Sequence, residues 1–239
     1  MNFVGHAAVA RWVGAEPRWV LGAMLPDLAG MARARVRDAA DPRVAAGIAF
    51  HHVTDDAFHG AASFLRLQVE GAAALEGRGL GRGPARAVAH VGPELLIDGL
   101  LLEDEGTCAA YLDALEPPPG ALGLRFRGEG GADRFARLHA RLRAHGLPDD
   151  YRSPARVGHR LVQILRRRPR LALPEEALPS VVPWLEDVRQ TLVDGLLGRL
   201  LDEVAADLSA RGALPTSDAH AGSVDTVRRG RDILRGRQT

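Results

Sequence analysis

Lysine is missing from this 239-residue chain, and cysteine, tyrosine and tryptophan are almost missing: one Cys, two Tyr and three Trp. With abundant Ala, Gly and Leu, the absence of lysine reads as GC-rich coding bias, and no chemistry is drawn from it. The lone Cys108 excludes an internal disulfide. Flanked by Thr107 and Ala109 with no basic neighbour, it is read as a small buried side chain and not an activated thiol. Aromatics at 5% and a scarcity of β-branched alternation exclude a sheet-based core. No run of about 18 apolar residues is present to span a bilayer. There is no excess of either charge: 31 basic and 30 acidic residues leave +1, so no global field draws in nucleic acid or an anionic membrane. No G-x-S-x-G elbow marks a serine hydrolase.

What is present suits a soluble globular protein: 46% apolar and 26% charged residues, over a length that buries a continuous core without disulfides or a structural metal. A reducing, cytoplasmic setting is expected. The apolar stretch from Met1 to Leu25 lacks a basic n-region and is interrupted by His6, Arg11, Glu16 and Arg18, so it reads as part of the mature fold.

Helical periodicity dominates, and the expected fold class is all-α, a single-domain helical bundle over residues 1–210 followed by a flexible basic tail over 211–239. Pro26-Asp27 reads as a turn or helix start. Asp41-Pro42 reads as an N-cap and first helical residue opening a helix that runs beyond Arg66. GRGLGRGP, between Glu76 and Pro84, breaks helix, and a new helix is expected from about Ala85 to Leu102. Residues 116–131, with three consecutive prolines and several glycines, read as a lid or long connection. Further helices are expected over about 132–144, 154–167 and 178–208.

The chemistry concentrates in two helices. HHVTDDAFH places five potential metal ligands within nine residues, with His51 and Asp55 on one face and His52, Asp56 and His59 on another. In AHVGPELLIDGLLL, His90, Glu94 and Asp98 recur every four residues among apolar neighbours; carboxylates on a core-like helix call for a cation or a basic partner. His6 in VGHAAVA and Asp27 in LPDL add the same ligand types. Imidazole and carboxylate together suit Mn, Fe or Zn, and helical bundles draw such sites from facing helices. The run Arg166, Arg167, Arg168 and Arg170 reads chiefly as a solvated helix end, with phosphate docking as the alternative.

MNFVGHAAVA, LGAMLPDLAG, GIAFHHVTDDAF, ELLIDGLLL and RRRPRL resemble, in that order, the acyl carrier protein phosphodiesterases, over roughly residues 1–59, 85–102 and 155–208. That family is regarded as an unusual relative of the HD metal-dependent phosphohydrolases. The resemblance implies an HD-like all-α fold and a divalent metal, with manganese favoured over Fe, Zn or Mg. It also implies hydrolysis of the phosphodiester joining phosphopantetheine to a carrier-protein serine. His6, Asp27, His51, Asp55 and Asp98 match its motif positions as metal ligands, and Glu94 stands where the family has Asp. His90, Glu94 and His52 are the candidate acid and base groups. His52, His59 and Gly99 depart from the family's arginine, aspartate and histidine. The expected partner is a phosphate ester, including acyl carrier protein, with no nucleic acid and no membrane span; the sequence assigns no oligomeric state. A looser similarity links the chain to zinc-dependent phospholipase C proteins. Iron-dependent oxygen chemistry and a non-catalytic binding module are the alternatives from other classes.

Overall fold

The computed structural model describes residues 1–215, so all but the start of the expected basic tail lies outside the described residues. In chain order the elements are α1 (Phe3–Ala10), α2 (Pro17–Met31), β1 (Arg35–Ala39), α3 (Pro42–Gly60), α4 (Ala62–Gly77), α5 (Arg82–Leu101) and α6 (Glu105–Ala114). Then follow β2 (Leu124–Arg127), α7 (Gly131–His145), α8 (Pro154–Leu165), α9 (Leu178–Thr191) and α10 (Leu197–Ala210). The chain is mostly helical. No helix among the described residues is long and apolar enough to cross a membrane.

Two compact units emerge. The first takes residues 1–57 and 101–148 with the described residues from 205 onward; the second takes 58–100 and 149–204. In the first, α1 packs on α2 and α6 around Phe3, Val4, Leu21, Met24, Leu25 and Tyr111, all at most 1% exposed. In the second, Phe58, Phe64, Leu75 and Leu96 form the core with Trp184 and Leu185 of α9.

Local chemistry explains the helix starts. Glu16 caps α2 by accepting from the Trp19 amide at 2.9 Å, with Pro17 at the first position. Asp41 caps α3 as expected, its carboxylate accepting from the amides of Arg43 and Val44 at 2.8 and 3.3 Å. The long helix expected beyond Arg66 is instead two, because Ala61 takes an extended backbone (φ −63°, ψ 127°) and restarts the chain as α4. Pro26 neither turns nor starts a helix; it lies inside α2, which makes Asp27 an intrahelical residue. The stretch expected over 178–208 breaks at a widened turn, Leu192–Leu196, where Gly195 takes φ 119°.

The expectation of an all-helical chain needs one amendment. β1 and β2 pair antiparallel, with Val36 opposite Phe126, Asp38 opposite Arg125 and a bulge between Val36 and Asp38. Arg125 Nε lies 2.5 Å from Asp38 Oδ1, and Phe126 packs against Phe135 of α7 at 5.4 Å between ring centres. The Pro/Gly-rich segment 116–131, read from sequence as a lid or long connection, contains a 3₁₀ turn (Pro119–Leu122) and a strand.

Candidate metal centre

Three helices of the first unit supply the site: α1 with His6, α2 with Asp27 and α3 with His51, Thr54 and Asp55. A glycine contact brings α2 and α3 together. A Cβ at Gly47 would lie 2.3 Å from the Trp19 carbonyl oxygen and 2.8 Å from the Gly22 Cα, and one at Gly22 would meet the Val44 carbonyl equally closely. Only two hydrogens at the crossing allow the backbones this approach. One turn on from Gly47, the His51 ring reaches α2 and donates from Nδ1 to the Ala23 carbonyl at 2.8 Å. Ala23 and Asp27 are four residues apart on α2, so the same contact carries the ring along the face that bears Asp27.

The hydrogen bonds fix both tautomers. A carbonyl can only accept, so His51 Nδ1 carries the proton and Nε2 the lone pair. Thr54 gives its one hydroxyl hydrogen to the His51 carbonyl at 2.9 Å and therefore accepts from His6 Nδ1, also at 2.9 Å. His6 Nε2 is thus a lone pair too. It is buried and makes no hydrogen bond. The rings lie 3.9 Å apart at 31°.

One donor atom from each of His6, Asp27 and His51 falls within a 4.8 Å span. His6 Nε2 is 3.8 Å from Asp27 Oδ2 and 3.6 Å from Asp55 Oδ1, and Asp55 Oδ1 is 3.4 Å from the Met1 nitrogen. Burial grades outward: the His6 side chain is fully enclosed, whereas the Asp27 and Asp55 side chains are 27% and 38% exposed. Burial pushes the His6 pKa down to about 3, against the upward pull of Asp55, and the neighbouring His51 lowers it further. Burial likewise takes His51 down to about 4, offset in part by the Ala23 carbonyl and Asp55. Both rings are neutral near pH 7.

A neutral imidazole lone pair facing two carboxylates is a repulsive arrangement that the Met1 ammonium beside Asp55 relieves in part, and a cation placed among the donors makes it attractive. Divalent metals take neutral imidazole nitrogen and carboxylate oxygen together, with their second ring nitrogen held by the protein. The donor set fits the divalent cation that the motif resemblance implies.

Of the other sequence candidates, His52 is exposed next to His51, its ring edge-on at 5.4 Å, and Asp56 is exposed, 3.8 Å from Arg211. Asp98 is fully buried on α5 in the second unit and is not a member of either candidate ligand triad among the described residues. His90 and Glu94 join His59 in the second such triad, also in the second unit. Arg166, Arg167, Arg168 and Arg170 are exposed just past the end of α8. Thr54 is the participant that the residue-type search missed. Its signal was a threonine three residues after His51 on the same helix face, a spacing at which a hydroxyl bonds back to the helix carbonyl.

Gly99 stands where the resembled family has histidine. A Cβ there would lie 2.1 Å from the Tyr151 carbonyl oxygen and 2.9 Å from the Arg152 amide nitrogen, so this backbone has no room for a side chain. Comparison with known proteins finds no matching family model, curated protein or solved structure.

Proposed function

We propose that the chain is a metal-dependent phosphoric ester hydrolase of HD-like helical type, with His6, Asp27, His51 and Asp55 holding the cation. The observation that carries this reading is the pair of fixed tautomers. Two buried, neutral histidines carry their lone pairs at Nε2, and that of His6 lies 3.8 Å from Asp27 Oδ2 and 3.6 Å from Asp55 Oδ1 within one cluster. Mixed nitrogen and oxygen donors favour Mn, Fe or Zn as the ion. A divalent ion bound there supplies Lewis acidity toward a phosphoryl oxygen and toward water near neutral pH.

The chain's own residues do the rest. Thr54 and the Ala23 carbonyl hold the rings so that neither can turn its proton toward the donor side. His6 is completely buried and so keeps water from its own nitrogen, while Asp27 and Asp55 are partly exposed and within reach of an incoming ester. The exposed His52 stands beside His51 as a group able to exchange a proton with the leaving oxygen. Acyl carrier protein as the ester's carrier rests on the motif resemblance alone.

The test is metal content of the purified protein by atomic spectroscopy, with Mn2+-stimulated cleavage of bis-p-nitrophenyl phosphate. The wild type should retain divalent metal and cleave. Asp27→Asn and His51→Ala should lose the metal of this centre and lower cleavage by more than about 100-fold, beyond the effect of a merely supporting residue. Full metal content in both variants, or a wild type that neither binds nor cleaves, overturns the reading.

A further inference from the structure

We propose that His59, His90 and Glu94 form a second, solvent-open metal site of the zinc class, sharing no ligand with the His6 centre and lying wholly within the second unit. His90 and Glu94 are four residues apart on α5, and His59 stands in the last turn of α3. The two imidazole rings are parallel within 6° at 5.0 Å. Their Nε2 atoms lie 3.5 and 3.6 Å from the same oxygen, Glu94 Oε1.

Those two separations are longer than a good hydrogen bond and match two edges of a coordination polyhedron; the third, between the imidazole nitrogens, is at most 4.8 Å and closes by a modest turn of the stacked rings. Zinc bonds of about 2.1 Å at tetrahedral angles space neighbouring donors by about 3.4 Å. Supporting groups are in place around the triad. Phe64 packs edge-on against both rings, at 5.4 Å from His59 and 5.9 Å from His90. The Gln68 side-chain nitrogen Nε2 lies 2.7 Å from His90 Nδ1 and, so placed, donates to it and leaves the ring proton on Nε2. Ligation through His90 Nε2 therefore takes the Gln68 amide turned end for end, its oxygen accepting from Nδ1–H.

Chemistry and exposure set the class of ligand. Two imidazoles and one carboxylate are a set that zinc accepts, and they leave a fourth position for water or an incoming group. The site is open: the side chains of His59, His90 and Glu94 are 31%, 45% and 12% exposed. It differs in this from the His6 centre, which is floored by a fully enclosed imidazole and bordered by two carboxylates.

The experiment titrates the full, chelator-stripped chain with Zn2+, and separately with Co2+, whose visible absorption reports tetrahedral nitrogen and oxygen ligation. Stoichiometry is followed in the wild type and in His90→Ala, Glu94→Gln and Asp27→Asn. Glu94→Gln keeps shape and removes charge, and far-UV circular dichroism confirms that each variant is folded. Two equivalents in the wild type and one in each variant is the expected result. One wild-type equivalent that survives His90→Ala and Glu94→Gln but not Asp27→Asn overturns this inference and leaves the His6 reading standing. One that survives only Asp27→Asn supports this site and removes the other. A single equivalent lost in all three variants means one shared centre and overturns the inference, as does a wild type that binds neither ion.

Discussion

Thr54 shows how one hydroxyl sets the tautomer of a buried histidine. Its hydrogen goes to the His51 carbonyl and its oxygen receives the His6 Nδ1 proton, so the His6 lone pair is held at Nε2 by a residue that need not touch a metal. Thr54→Val keeps the volume and removes the acceptor. His6 Nδ1–H is then left buried without a partner, at a cost of about 1–3 kcal/mol, and the competing tautomer becomes accessible. Divalent-metal affinity should fall by about 10–100-fold, the usual effect of losing a group that orients a ligand, and Thr54→Ser should restore most of it. Competition with a coloured chelator measures this directly; unchanged affinity in Thr54→Val would show that the tautomer is set elsewhere.

Among the elements, the helices were legible wherever a local signal coincided with the real boundary. Asp41-Pro42 combines a cap with a fixed φ, and α3 begins there. Pro26-Asp27 misled because a proline before an acidic residue has the form of a helix start, whereas tertiary packing buries Leu25 and Leu28 on either side and keeps the helix continuous. β1 and β2 were illegible for another reason: five and four residues, rich in arginine, carry too little alternation to register, and only pairing between segments that α3 to α6 separate in the chain makes them strands. His6, Asp27 and His51 were visible as residue types, but nothing local reports that Gly22 and Gly47 bring their helices together. That crossing is itself testable. Gly47→Ala drives a methyl into the Trp19 carbonyl, a backbone atom that no rotamer change can move aside. A loss of about 1–3 kcal/mol or more is expected. At roughly 2–4 °C per kcal/mol for a domain of this size, Tm should fall by several degrees, with weakened metal retention as the α2 and α3 ligands separate. A variant with wild-type Tm would mean that the crossing is softer than its geometry.

At the scale of the whole molecule, near-balanced charge leaves no long-range field, so acid sensitivity is set by the few groups that burial holds out of equilibrium with solvent. Three are histidines of the first unit. His6 and His51 are pushed down to about 3 and about 4, and burial, aided by Arg143, lowers His139 as well. Between the ordinary histidine pKa of about 6.5 and those lowered values, the unfolded chain takes up protons that the folded chain refuses. The unfolded state then binds more protons, stability rises with pH, and the contribution present above about 6.5 drains away as the pH falls toward 4. Each unit of depression is worth about 1.4 kcal/mol, so the loss for the metal-free protein is on the order of several kcal/mol. Most of it falls above the range where carboxylates titrate. Urea midpoints of chelator-treated protein should therefore decline continuously from pH 6.5 to about 4.5. His51→Gln, which removes the titrating ring but can still donate toward Ala23, should flatten that slope while remaining folded at pH 7. A midpoint constant across this interval in the wild type would mean that His6 and His51 reach solvent in the folded state, which their enclosure forbids.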